Sequence, residues 1–360
     1  MNDNLFGPSG APGTTAKEVA SPTAEGNGLA HPVGILGTGL YVPRTVVTNE
    51  ELTRTLETTD EWISTRTGIR ERRFLEEGCA TSDMAIKAAR RALDRARVDP
   101  SDVDAVVTTT FTPDQPLPSM GMIIKEAIGA HRAMPLDLTQ AACSGGIYAL
   151  LTGAHLLQNT AFKHVLVIGA DAGSRGTDPR ERTTRVFLGD AAGAALLGRT
   201  PVGFGLLSWD TGGELSFEVE ITAGGSRLPT SPETVEARSH FLKMNGKAVW
   251  NIATDKLPDS IRKTARRAGV ELDDVQHVLL HQANLNIINE TARELSLPSH
   301  RVPTTVQRLG NTAAASVFTV LHETLEQRAR HGDLMIAAAI GAGFLWGSAC
   351  FRHFDPAGEV

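Results

Sequence analysis

Leu136-Asp137-Leu138-Thr139-Gln140-Ala141-Ala142-Cys143-Ser144-Gly145-Gly146-Ile147-Tyr148-Ala149-Leu150 reads as an extended segment, a tight turn of small residues, and then an apolar helix. A strand that turns directly into a helix is the repeating joint of α/β architectures. Cys143 sits at the joint, where the helix macrodipole and unpaired N–H groups favour a thiolate. Its small neighbours let a substrate approach the sulfur closely. Two other stretches offer partners. Leu279-Leu280-His281-Gln282-Ala283-Asn284 ends a strand on a histidine, and Leu309-Gly310-Asn311-Thr312-Ala313-Ala314-Ala315-Ser316 sets an asparagine in a turn before a small-residue helix. A lone cysteine among small residues is usually core filler, which is the reading for Cys79 and Cys350. A lone strand-end histidine or loop asparagine is usually structural. The three together, in these contexts, read as nucleophile, proton handler and hydrogen-bond donor.

The chain has 360 residues, of which 41% are apolar and 5% aromatic, with 35 glycines and a formal net charge of −6. This is the composition of an ordinary globular enzyme, and it lacks the basic footprint of a nucleic-acid binder. The basic run Arg262 to Arg267 reads as a solvated helix face. Three cysteines without CxxC spacing exclude a disulfide framework or a zinc ribbon, and no metal site is expected. No run of 18 or more apolar residues marks a membrane span. Residues 1–32, rich in Gly, Pro, Ala, Ser and Thr, lack the apolar core of a secretory signal and read as a disordered tail. The expected compartment is the reducing cytoplasm.

Ordered structure is expected from Val33-Gly34-Ile35-Leu36-Gly37-Thr38-Gly39 onward. A helix over Thr81 to Ala96 leads through Val98-Asp99-Pro100-Ser101-Asp102 into a strand, and Ile261 to Ala268 leads through Val270-Glu271-Leu272-Asp273-Asp274 into another. The offset is 172 (270 − 98), pairing Ala96 with Ala268, Val103 with Val275 and Val106 with Val278. The same offset pairs Cys143 with Ala315, in the helix after Asn311. The chain therefore reads as two related α/β halves, 33–200 and 201–356, with sheets buried between helices. Catalytic groups in such folds collect at strand ends and helix starts, where all three candidates lie.

The chain resembles β-ketoacyl-acyl carrier protein synthase III, of the thiolase superfamily, over nearly all of residues 33–354. The motifs that carry the resemblance are Asp60-Glu61-Trp62-Ile63-Ser64-Thr65-Arg66-Thr67-Gly68-Ile69-Arg70-Glu71-Arg72, Ala142-Cys143-Ser144-Gly145, Phe187-Leu188-Gly189-Asp190-Ala191-Ala192-Gly193-Ala194, His281-Gln282-Ala283-Asn284, Gly310-Asn311-Thr312 and Gly341-Ala342-Gly343-Phe344-Leu345-Trp346-Gly347-Ser348. The resemblance implies a five-layered αβαβα fold built by duplication, in accord with the repeat. It implies that Cys143 takes an acyl group from acyl-CoA, that His281 and Asn311 hold the thioester carbonyl of a malonyl unit on acyl carrier protein, and that the enolate left by decarboxylation attacks the acyl-cysteine. Backbone N–H groups of Cys143 and Ala342 would form the oxyanion hole. Trp62, Arg66 and Arg175 would hold coenzyme A, an indole suiting adenine and guanidinium forks suiting phosphate. No cofactor is implied, since coenzyme A thioesters are substrates. The family is a homodimer, in which Leu117, on the loop Thr112 to Ser119, would close the acyl pocket of the partner beside that subunit's Leu188 and Met244.

Several positions depart from the usual pattern. Ala342 stands where a glycine is common, which alanine can fill while its φ stays negative. Asn286 stands where an arginine often helps dock carrier protein. These departures suggest a specialised relative in secondary metabolism, handling an unusual starter group. Two other readings remain: an acyltransferase that moves an acyl group to an alcohol or amine without decarboxylation, and a non-catalytic carrier-protein partner. Asn311 favours condensation, and the presence of Cys143, His281 and Asn311 together argues against the last. Thiolases use a second cysteine as base; Cys350 lies past the Gly341–Ser348 motif, in an apparent final strand, and is discounted for that role.

Overall fold

Two mixed sheets, each supplied by one stretch of chain, position everything else. The computed structural model describes residues 29–139 and 142–355. The first sheet runs in the order Val33–Tyr41, Asp190–Arg199, His164–Ala172, Ala105–Thr109, Met134–Leu138. Ala105–Thr109 is parallel to both of its neighbours, and Asp190–Arg199 antiparallel to both of its own. The second sheet runs His277–Leu280, Leu334–Gly341, Leu345–Arg352, Gly205–Gly213, with only the first pair parallel. Strands such as Asp190–Arg199 and Leu334–Gly341 are buried along almost their whole length, which is why they read as continuous apolar runs rather than alternations.

Three cores divide the molecule into five layers. Helix Thr81–Ala96 lays Met84, Ala85, Ala88, Ala89, Ala92 and Leu93 on the outer face of the first sheet. That face is largely alanine, so the helix lies close to the strands, and it ends where Arg97 turns left-handed at φ 55°. Helices Gly145–Leu156 and Ser316–Gln327 lie between the two sheets and share one core with both. Gly145–Leu156 is apolar and mostly buried except for one stripe, Tyr148, Thr152 and His155, which is half-buried to exposed. Helix Gly246–Ala268, with Leu285–Glu294, covers the far face of the second sheet.

The repeat is visible in the element positions. The short acidic turns fall at Pro100–Asp102 and Leu272–Asp274, 172 residues apart (272 − 100). The turns that open the two central helices fall at Ala142–Ser144 and Ala313–Ala315, 171 apart (313 − 142). The expected tail over 1–32 is corrected at its end. Residues 1–28 lie outside the described residues, but Leu29 packs on the central core, and the backbone of His31 is held on both sides by the Gln158 amide. An apolar anchor and paired backbone bonds dock a segment that composition alone reads as free. Position 356, the expected end of the second half, is also outside the described residues. Among the described residues no helix is long and apolar enough to cross a membrane.

Candidate active site

The two central helices cross at their starts, and that crossing assembles the site. A Cβ at Gly146 would lie 2.4 Å from Val317 and 3.1 Å from the Ala314 carbonyl, so the opening turns can approach only with glycine there. Gly310, at φ 67°, provides the reversal that swings Asn311 toward Cys143. Both opening turns contain an alanine in the left-handed region, Ala142 at φ 40° and Ala313 at φ 48°. Such conformations cost about 1–2 kcal/mol each and persist where the surroundings hold them.

Cys143, His281 and Asn311 line one cavity of about 350 Å³, whose other walls, Leu188, Met244, Val249 and Trp250 among them, are mostly apolar. A helix start taken alone favours a thiolate, and burial acts against it here. Burial pushes the Cys143 thiol up to about 12, the charge of Asp171 adds to the push, and a hydrogen bond from the Asn311 side chain opposes it. Cys143 lies in the short turn ahead of the helix proper. A macrodipole is worth at most ~2 kcal/mol, about one and a half pH units, too little to offset that burial.

His281 closes the strand His277–Leu280 of the second sheet, and its own N–H donates to the Ala338 carbonyl at 2.8 Å. Burial drives its imidazole down to about 4, so the ring is neutral at physiological pH. Ser316 bears on its tautomer. Ser316 Oγ accepts the Gln282 N–H at 3.2 Å and contacts His281 Nδ1. With the hydroxyl donating to Nδ1, Nε2 keeps its proton and is the nitrogen left for the cavity. Gln282 ties the same region together: its Nε2 donates to the Leu280 carbonyl, and its Oε1 accepts from the N–H groups of Thr305 and Val306.

Asn311 is oriented in the same way. Its Oδ1 accepts the Ala313 N–H at 2.9 Å, leaving the Nδ2 amide to donate. Its backbone is bonded to the segment that forms a wall of the cavity: Asn311 N–H donates to the Phe187 carbonyl at 2.7 Å and Gly189 N–H to the Asn311 carbonyl at 3.0 Å, an isolated bridge around Leu188. Ala342 also lines the cavity and stays out of the left-handed region, while its neighbour Gly343 takes φ 128°. Alanine thus fits the position without backbone strain.

The other expected residues divide. Leu188 and Met244 line the cavity. Leu117 does not; it is 82% exposed on its loop. Trp62 packs beside Leu52, Leu56 and Val186, half-buried, and Arg66 stands exposed one turn along the same helix. Arg175 is exposed beside the loop that holds Cys79. Its guanidinium donates to the carbonyls of Cys79 and Glu76, at 2.6 and 3.0 Å, and so braces that loop. The arginine found at Trp62 is Arg182, its guanidinium 5.1 Å above the ring. Sequence reasoning passed over Arg182, although Arg180-Glu181-Arg182 is a local cluster of charge following Asp178-Pro179. Asn286 donates to the carbonyls of Thr65 and Arg66, pinning the end of helix Asp60–Thr67. Sequence reasoning also missed Ser316 and Asp171, whose roles depend on contacts far along the chain. Among the described residues no group of three or more His, Cys, Asp or Glu side chains could hold a metal ion, and all three cysteines are free.

Residues 136–214 match the family described as 3-oxoacyl-[acyl-carrier-protein (ACP)] synthase III, and residues 265–353 match the C-terminal portion of the same family. The chain is 41% identical over 324 residues to the β-ketoacyl-[acyl-carrier-protein] synthase III of Symbiobacterium thermophilum, covering 89% of this chain and 98% of that protein. It superimposes on the crystal structure of the β-ketoacyl-[acyl carrier protein] synthase III from Thermus thermophilus with a TM-score of 0.83 at 37% identity, covering 89% of this chain and 99% of that one. The priming β-ketosynthase of the R1128 polyketide biosynthetic pathway gives a TM-score of 0.84 at 31% identity, covering 91% and 97%. With this identity along nearly the whole length, and the layered thiolase-like fold in common, the chain belongs to the β-ketoacyl-[acyl-carrier-protein] synthase III family.

Proposed function

We propose that the chain catalyses the decarboxylative condensation of an acyl-CoA starter with a malonyl thioester on acyl carrier protein, through an acyl-Cys143 intermediate. The observation that carries the reading is that a half-buried thiol and two neutral side chains placed to donate, His281 and Asn311, share one apolar cavity. In the first step the Cys143 sulfur attacks the acyl-CoA carbonyl. The coenzyme A thiolate leaves and is protonated, so the thiol proton lost at Cys143 balances the one gained by coenzyme A. The N–H groups of Cys143 and Ala342 receive the tetrahedral oxyanion. In the second step carbon dioxide leaves the malonyl unit, and its electron pair becomes an enolate whose oxygen accepts from His281 and Asn311. Neutral donors suit this role: they stabilise the enolate without protonating it. The enolate carbon then attacks acyl-Cys143 and expels the Cys143 thiolate, which takes a proton from solvent, the one proton that the overall reaction consumes.

Trp62, Arg66 and Arg175 would hold coenzyme A, with Arg182 over the indole as a further guanidinium for its phosphates. The proposed assembly is a cytoplasmic homodimer. Supporting it are the free edge of strand Met134–Leu138 in the first sheet and the exposed Leu117. Transfer of the acyl group to an alcohol or amine without decarboxylation is the alternative, and it gives no employment to the Asn311 donor. The test is intact-mass spectrometry after incubation with a panel of acyl-CoA thioesters. An acyl adduct that maps to Cys143 and vanishes in Cys143→Ala is expected; an adduct on Cys79 or Cys350 overturns the mechanism.

A further inference from the structure

Asp171 is a fully buried carboxylate at the end of strand His164–Ala172, with no part in the chemistry above. Its surroundings are all donors. Oδ1 accepts from Thr110 Oγ1 at 2.8 Å, from Phe111 N–H at 2.8 Å, from Thr112 Oγ1 at 3.0 Å and from Thr112 N–H at 3.2 Å. Oδ2 accepts from Ala314 N–H at 2.9 Å. Three of the five are backbone N–H groups that can only donate, so the site is built for an acceptor-only, ionised group. The two oxygens also face different parts of the molecule. Oδ1 holds the start of the loop after strand Ala105–Thr109, including Phe111 of the cavity wall. Oδ2 holds the middle of the turn Ala313–Ala315, in the other half of the chain.

That turn needs holding. It carries Ala313 in the left-handed region, and the Ala313 N–H is the group that anchors Asn311 Oδ1. The bond to Asp171 comes from the next residue along. We propose that Asp171 is a positioning residue for the condensation step: by fixing the Ala313–Ala315 turn from the opposite half, it sets the direction in which the Asn311 amide donates. The inference rests on the proposed role of Asn311. The charge itself raises the Cys143 thiol and so bears on acylation; the bond to Ala314, next to the Asn311 anchor, is what bears on decarboxylation.

Asp171→Asn tests it, because the two oxygens become inequivalent. With four donors on one side and one on the other, the amide oxygen stays with Thr110, Phe111 and Thr112. The NH2 then faces the Ala314 N–H, donor against donor, and the turn loses its tether. Acylation of Cys143 and decarboxylation of malonyl thioester are measured separately in purified full-length protein, alongside circular dichroism and thermal melting. The expected result is a folded variant in which decarboxylation itself falls at least ~10-fold below wild type, the size of a misdirected enolate donor, while acylation holds or rises as the charge beside Cys143 is lost. Equal loss of both half-reactions, or loss of neither, overturns the proposal. If Asp171→Asn does not fold, Thr110→Val removes one donor from Oδ1 and leaves the carboxylate in place. The same selective loss, smaller in size, then supports the proposal, and an equal or absent loss overturns it. The wild-type protein reports separately on the parent reading: if it neither acylates Cys143 nor decarboxylates malonyl thioester, the proposed function fails whatever Asp171 does.

Discussion

Ser316→Ala tests the claim that a hydroxyl sets the protonation geometry of the histidine. Ser316 Oγ lies between the Gln282 N–H and His281 Nδ1, fully buried at the start of helix Ser316–Gln327. Its removal has two effects of different size. The Gln282 N–H loses its partner in the interior, which costs about 1–3 kcal/mol, and the bond to the ring is worth about 1 kcal/mol more. For a chain of this size the melting temperature should drop by roughly 3–6 °C. The kinetic effect arises because nothing then favours the Nε2–H tautomer or fixes the ring. Loss of an oxyanion donor outright costs about 10²–10³ in rate, which is the ceiling set by His281→Ala. Loss of its orientation, at about 1.4 kcal/mol, is worth about tenfold. Malonyl decarboxylation followed as carbon dioxide release should therefore fall by ~10-fold, with acylation of Cys143 within about twofold of wild type. Unchanged decarboxylation in a destabilised variant would refute the tautomer argument. So would a loss as large as that of His281→Ala, because the ring would then have been displaced rather than reoriented.

Asn311→Ala should cut decarboxylation by at least ~10²-fold and leave much of the self-acylation, since it removes an enolate donor but no group that attacks; equal loss of both would remove the assigned role. With the thiol raised to about 12, the thiolate fraction still rises about tenfold per pH unit between pH 7 and 10, so iodoacetamide alkylation of Cys143 should climb without levelling off. Asp171 is the one charged group that bears on it, and His281 is neutral throughout that range, so a plateau near pH 8 would contradict the burial argument. Leu117→Phe should shift preference toward short acyl-CoA and Leu117→Ala toward longer ones, in a protein that runs as a dimer by light scattering; a monomer, or an indifferent chain-length profile, would refute the shared pocket.

The sequence disclosed what is local. Strand-to-helix joints, the twin acidic turns and the Cys143, His281 and Asn311 contexts all lie within a dozen residues each. The direction of the Cys143 titration was not legible, because a helix start is visible in sequence while the apolar cavity around it is made by Leu188, Met244 and Trp250 from distant segments. Asp171 and Ser316 were invisible for the same reason: the first reaches a partner 143 residues away and the second a ring 35 residues away. Arg182 was passed over because which guanidinium meets Trp62 depends on how its loop folds back over the indole.

The bridge between Leu188 and Asn311 constrains how such an enzyme can change its diet. Leu188 forms a wall of the pocket, and its flanking peptides are bonded to the asparagine. A bulkier or smaller side chain there would resize the pocket and tug on the donor in one stroke. Val219, Met244 and Trp250 wall the same space from elements for which no such bond to Asn311 is found among the described residues. New starter units are therefore most readily accommodated from that flank, and variation on the Leu188 side should appear only alongside compensating change in the turn that carries the asparagine.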